Sequence, residues 1–300
     1  MVLYCTVLLF IGYLASKRMR DIRDYFAGGK RLGFINVAFS ARATGESAWL
    51  LLGLTGTGFA IGIQGLWVVL GEMLGVGAAW LLMARRFKRL SDKYDSITVP
   101  DYLESRLRDT GHWLRLIAAG ALVIFVPIYA GSQVFATGKA FNAFLDMNYF
   151  LGATIGFLVV LFYITKGGFV AVVWSDVFQG SLMLIGLVLL PIVGLLEAGG
   201  VTNVLDTLRA SDPSHLSLTA GQGWTPLTIA TVVGFAAIGI GFLGSPQVFV
   251  RFISLRSEKE IKKGAAVALA WTILADSGAV LVGVVGRSLY TSAEIVAPRK

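Results

Sequence analysis

Residues 33–62 read GFINVAFSARATGESAWLLLGLTGTGFAIG, an apolar run of about thirty residues with Arg42, Thr44, Gly45, Glu46 and Ser47 at its middle. A bilayer is crossed by roughly 20 apolar residues, so the run is long enough to span one. An ionisable group at bilayer depth costs on the order of 2.5–3.5 kcal/mol, so Arg42 and Glu46 each need a partner or a polar cavity. Residues 225–252, TPLTIATVVGFAAIGIGFLGSPQVFVRF, are interrupted in a similar way by Gly239, Gly241, Gly244, Ser245 and Pro246. Glycine and proline weaken the helical ladder, and the freed amides and carbonyls must face protein or a water-filled cavity. Two broken helices at corresponding positions of two halves point to a solute site of the secondary-transporter kind. The other reading is a pair of kinked packing helices.

The rest of the chain fits a membrane setting. Of its 300 residues 56% are hydrophobic and 15% charged, where a soluble chain carries roughly 25% charged residues. The mean hydropathy is +0.73. A soluble enzyme, a disordered chain and a disulfide scaffold are thereby excluded, the last also because Cys5 is the single cysteine. Apolar stretches lie near 2–16, 34–62, 65–84, 113–138, 149–165, 171–197, 226–250 and 264–289. None alternates with the period of a membrane strand, so the expected class is an all-α membrane protein of about eight helices in one transmembrane domain. The first stretch has no basic segment before it and no small-residue cleavage site after it, and reads as a spanning helix rather than a signal peptide.

The net charge of +8 resolves into a topology. Nineteen of the 26 lysines and arginines fall in alternate loops, at 17–31, 85–108, 166 and 251–263. The opposite loops hold Lys139 and Arg209, with Arg299 and Lys300 at the end. The positive-inside rule then predicts a multi-pass protein of the cell membrane with its N-terminus outside. The basicity faces a lipid bilayer, and a nucleic-acid partner is not expected.

Candidate chemistry gathers near the first interruption. Arg42 and Glu46 are four apart, close enough on a helix to neutralise each other. Unwinding at Gly45 would expose the carbonyls of Ala43 and Glu46, oxygen donors that suit a sodium ion. Asp176 is either a helix-start residue or an acid that meets sodium on its way inward. Glu72 and Asp276 read as satisfied packing residues before ligands, Tyr129 as packing or a hydroxyl offered to solute, and the glycines of GTGFAIG (56–62) as helix-packing contacts. His112 and His215 fall in loops on opposite faces and cannot share a metal. The chain shows no zinc spacing, P-loop, dinucleotide fingerprint or serine elbow, which disfavours an ATP-driven pump, an intramembrane enzyme and an organic cofactor.

DYFAGGKRLG (24–33), FSARATGESAWLLLGLTG (39–56), ITVPDYLESRLRD (97–109), IYAGSQ (128–133), GGFVAVVWSDVFQGSLM (167–183) and GSPQVFVRF (244–252), in that order, resemble the sodium/solute symporter family. The resemblance is closest to its sodium/proline symporter branch and runs from about residue 20 to the end. It implies a leucine-transporter-type bundle of five-plus-five inverted repeats with one extra N-terminal helix. It also implies Na+ as the coupling ion, a small-molecule solute such as proline and no enzymatic activity. By position, Ala43 and Glu46 match the family's carbonyl ligands for sodium, and Asp176 matches its aspartate on the inward sodium route. Ser47 matches a serine beside the solute, and Tyr129 a tyrosine near it.

The sequence departs from that pattern at Gly45, where the proline transporters carry an aspartate, and at Ala48, where they carry a glycine. Ile238 and Phe242 stand where they have a tryptophan and a tyrosine. The helix-break positions Gly241, Gly244 and Pro246 remain, and Gly45 and Phe242 join the expected solute lining. Such a lining suits proline, a larger or more apolar amino acid, or another small organic acid. Family members run well beyond this length, so the second repeat is expected to lack its later helices and residues 1–300 alone are not expected to transport. Two further readings are a solute-sensing membrane module of a signalling protein and a non-transporting remnant. The oligomeric state is not legible.

Overall fold

The computed structural model describes residues 2–290 and is built of helices. They are α1 (Val2–Ser16), α2 (Ile22–Ala27), α3 (Phe34–Ala48), α4 (Thr55–Ile61), α5 (Leu66–Ala78), α6 (Arg85–Lys93) and α7 (Val99–Leu107). There follow α8 (Trp113–Leu145), α9 (Tyr149–Glu197), α10 (Val201–Ser211), α11 (Pro226–Ala237), α12 (Pro246–Ser254) and α13 (Ile261–Leu289). Among the described residues five stretches are long and apolar enough to cross a membrane: Phe34–Lys93, Trp113–Leu145, Tyr149–Glu197, Pro226–Leu243 and Glu258–Leu289. Val2–Ser16 is a shorter apolar helix.

Two of these stretches each hold two of the apolar segments read from the sequence. Phe34–Lys93 covers 34–62 and 65–84, and Gly62 between them takes φ 67°, ψ −141°. Tyr149–Glu197 covers 149–165 and 171–197, and its helix is interrupted at Gly168, φ 54°, ψ −152°. Residues 226–250 divide into α11, a 3-10 turn over Ile238–Leu243, and α12. Thr225 starts α11, its hydroxyl accepting from the Thr228 amide while Pro226 sits at the first helical turn, where a missing N–H is harmless.

The chain divides into two compact units. The first comprises Met1–Thr44, Leu81–Gln179 and Pro246–Gly264. Within it Leu8 and Ala15 of α1 are buried with Tyr163, Val170 and Ala171 of α9. Gly12 allows that approach, since a Cβ there would stand 2.6 Å from the Cβ of Tyr163. Leu32 is bridged to the end of α12, its amide donating to Ser254 and its carbonyl accepting from Arg256. Lys88 is fully buried and donates to Asp92 at 2.8 Å and to the Ile253 carbonyl at 3.0 Å. His112 pairs with Glu104, which Arg115 also holds at 3.0 Å. That hydrogen bond from His112 keeps the Glu104 carboxyl below the usual carboxylate range, with burial opposing it and Arg115 assisting.

The second unit comprises Gly45–Trp80, Gly180–Ser245 and Ala265–Lys300. Here α5 and the 238–243 turn meet backbone to backbone. A Cβ at Gly75 would come 1.9 Å from the Gly239 carbonyl oxygen, and one at Gly239 would come 1.8 Å from that of Gly71. Small residues at such a seam let helices approach closely where lipid offers no hydrophobic drive to associate. Gly58 of the GTGFAIG run packs similarly against the Val280 carbonyl of α13. His215 is buried in this unit, 3.3 Å from Asp212.

Candidate functional site

In the second unit, Gly45, Trp49, Glu72, Ile238, Gly241, Phe242 and Ser245 line a cavity of about 370 Å³. Its walls come from both interrupted segments, with Glu72 added from α5. Cavities that take small organic ligands span about 300–1,000 Å³ and are mostly apolar with a few placed polar groups. Trp49, Ile238 and Phe242 supply the apolar walls here. The Glu72 carboxyl and the Ser245 hydroxyl are the polar side chains, the latter donating to the Gly241 carbonyl at 2.9 Å.

The first interruption falls at Ser47, with φ 51° and ψ −147°. The expectation of unwinding at Gly45 is therefore corrected by two residues. Gly45 keeps helical backbone, and what needs its missing side chain is Phe242: a Cβ at position 45 would lie 2.7 Å from the ring's Cε1. The carbonyls whose i+4 partners fall at or beyond the break are those from Ala43 to Glu46, the turn that precedes Ser47. The second interruption is the 3-10 turn Ile238–Leu243 followed by Gly244 and the start of α12 at Pro246. It contains Gly241 and Phe242 and is flanked by Gly244 and Pro246.

Three carboxylates meet beside the cavity. Glu46, Glu72 and Asp276 are all buried, and one ligand oxygen from each lies within 4.8 Å of the others. Glu72 and Asp276, which the sequence leaves as packing residues or ligands, are placed with Glu46 by the fold. Like charges this close favour a proton, a basic side chain or a hard cation among them. Arg42 is buried as well.

The first unit holds a second polar constellation. Arg251 of α12 is 3% exposed and pairs with Asp176 of α9, Nη2 to Oδ2, at 2.7 Å. Its Nε donates to the Ser40 hydroxyl at 2.6 Å, its Nη1 to the Gln247 carbonyl at 2.6 Å, and its Nη2 also to the Thr44 hydroxyl. Asp176 sits eight residues past the break at Gly168, inside the helix, so it is not a helix-start residue. Tyr129 donates its hydroxyl to the Thr44 carbonyl at 3.1 Å. Sequence reasoning missed Arg251, which had been assigned to a basic loop. The signal available was its setting in the apolar run PQVFVRFIS.

The sequence profile of the family described as "Sodium:solute symporter family" matches residues 25–299. The chain is 38% identical over 284 residues to the high-affinity proline transporter PutP of Bacillus subtilis, covering 94% of this chain and 59% of that protein. It is 33% identical to the osmoregulated proline transporter OpuE of the same organism, covering 95% of this chain and 57% of the relative. It is 31% identical to the sodium/proline symporter of Escherichia coli, covering 96% and 56%. The chain thus spans a little over half the length of these relatives. Its fold is that of a Na+-coupled sialic acid symporter solved in a substrate-bound, outward-open state, with a TM-score of 0.81, 22% identity, and coverage of 98% of this chain and 61% of that one.

Proposed function

Because this chain belongs to the sodium:solute symporter family, we propose that the whole protein imports a small organic solute, an amino acid such as proline, in symport with sodium. Its apolar helices make it a multi-pass protein of the cell membrane. The observation that carries the reading is the cavity walled by both interrupted helices, with Gly45 and Trp49 on one side and Ile238, Gly241, Phe242 and Ser245 on the other. At membrane depth an interrupted helix is tolerated where its freed backbone groups are buried in protein or line a polar cavity, and here both interruptions border one cavity.

In this reading the carbonyls of Ala43 and Glu46 hold sodium at the break, and Asp176 receives the ion on its inward path. Gly45, Ser47, Tyr129 and Phe242 form the solute side, with Gly241, Gly244 and Pro246 keeping the second helix open. Sodium ordering the α3 break raises solute affinity, and by linkage solute raises sodium affinity by the same factor. The segments from α3 and from α11 onward begin two inverted repeats, and the N-terminus faces outward. Proline, reported for the relatives, is the first solute to test. The apolar wall of Ile238 and Phe242 favours the apolar end of the amino-acid range. Uptake of labelled proline into proteoliposomes of the whole protein should rise when an inward sodium gradient is imposed. Uptake that is indifferent to replacing sodium by choline would refute the coupling.

A further inference from the structure

We propose that Arg251 is a tethered counter-cation that occupies the place of sodium at Asp176, so that guanidinium and ion alternate on one set of oxygens. The inference rests on the reading of Asp176 as a residue that sodium meets, and adds what holds that carboxylate when the ion is elsewhere.

A guanidinium stays charged at any pH a protein experiences, so burying one requires a carboxylate and a full set of acceptors. Arg251 has both. Asp176 Oδ2 accepts from Arg251 Nη2 at 2.7 Å, from the Ser40 hydroxyl at 2.5 Å and from the Thr44 hydroxyl at 3.1 Å. The two hydroxyls point their hydrogens at the carboxylate and their lone pairs at Arg251, which donates to both. One carboxylate and two hydroxyl oxygens thus face a single cation, and they are the hard oxygen donors that an alkali ion takes.

Exclusion follows from charge and from count. Oδ2 already accepts three hydrogen bonds, and a second positive charge against the same oxygen would meet Arg251 at close range in a buried setting. Sodium can enter only as the guanidinium withdraws. The Gln247 carbonyl, on Arg251's own helix, moves with it and remains a partner at Nη1. The exchange also uncouples helices: Ser40 and Thr44 belong to α3, Asp176 to α9 and Arg251 to α12. A buried ion pair is weak evidence for stability, and its best-attested use is as a switch. Arg251 is in these terms a positioning residue that acts through Asp176.

The test is a titration of radioactive sodium binding to the whole protein in nanodiscs, with choline keeping ionic strength constant. Arg251→Gln removes the competing charge, and its half-saturating sodium concentration should fall about threefold or more, because the open carboxylate is no longer a minority state. Arg251→Lys should keep the wild-type value. In an Asp176→Asn background the Arg251→Gln effect should vanish. Unchanged or weaker sodium binding by folded Arg251→Gln would overturn the proposal alone, while absence of sodium binding by the wild type would overturn the transport reading with it. Should Arg251→Gln not fold, alkylation of Ser40→Cys in a background with every other cysteine of the whole protein, Cys5 included, changed to serine decides. Sodium should speed the reaction by uncovering position 40 and choline should not, and equal rates would refute the exchange.

Discussion

Two helices of this protein are broken in the same backbone conformation, one by a glycine and one by a serine. Gly168 interrupts α9 at φ 54°, ψ −152°, and Ser47 interrupts α3 at φ 51°, ψ −147°. Gly62 adopts nearly the same angles at 67° and −141°. This region is essentially reserved for glycine, and a side chain held there costs about 1–3 kcal/mol. At Gly168 the choice of residue follows from backbone and space together, since a Cβ would also stand 2.9 Å from the Tyr25 carbonyl oxygen. At Ser47 a hydroxymethyl group is kept in spite of the strain, two residues from cavity-lining Gly45 and Trp49. The difference separates a break that backbone and packing together reserve for glycine from one at which a side chain is kept against the cost of the conformation.

Gly168→Ala adds the strain of the conformation to a clash against Tyr25, so a loss of about 3 kcal/mol or more is expected, the clash alone being worth about 1–3. Thermal unfolding of the purified whole protein reads it. A variant as stable as the wild type would show that the break at 168 is not fixed by sterics.

Gly45→Ala probes the wall next to Ser47 and should act on binding rather than folding. The new Cβ would meet the far edge of the Phe242 ring at 2.7 Å, and a ring edge can move where a backbone cannot. We expect solute affinity to fall about tenfold, equivalent to 1.4 kcal/mol, with thermal stability nearly kept. Combining it with Phe242→Leu should restore part of that affinity. A double variant no better than Gly45→Ala would remove the ring from the account.

How far the site was legible follows the same division. The interruption over 238–246 could be read directly, because Gly239, Gly241, Gly244 and Pro246 disrupt a helix through their own backbones. The break in α3 was expected at Gly45, because a glycine beside polar residues looks like the weak point. That glycine answers to a ring 197 positions away, and the serine that breaks the helix carries no local mark. The gathering of Glu46, Glu72 and Asp276 was hidden for a related reason, as Glu46 looks like the partner of Arg42 and the other two like separate acids in apolar helices until the chain is folded. Arg251 and Lys88 had been counted with the topological charges of the basic loops, and both are buried. The helical membrane class, by contrast, needed only composition and the lengths of the apolar runs, and the fold of a known symporter confirms it.

The smallest effect bears on the comparison most directly. Ser47→Gly should retain the break while releasing its strain, so the variant gains about 1 kcal/mol of stability, the lower end of the cost of that conformation. Ser47→Ala keeps a Cβ in the same strained region and loses only the hydroxyl, so its stability should stay close to wild type. Both should weaken solute binding to a similar degree, by about 0.5–1.5 kcal/mol if the hydroxyl makes one neutral hydrogen bond to solute. Thermal unfolding separates the two substitutions, and proline binding in the presence of sodium joins them. If Ser47→Gly gains stability and also binds as tightly as the wild type, the hydroxyl has no part in solute recognition and the serine break is no different in kind from the one at Gly168. If the two variants lose affinity together while differing in stability, strain and function are assigned to separate atoms of one residue, the Cβ and the Oγ.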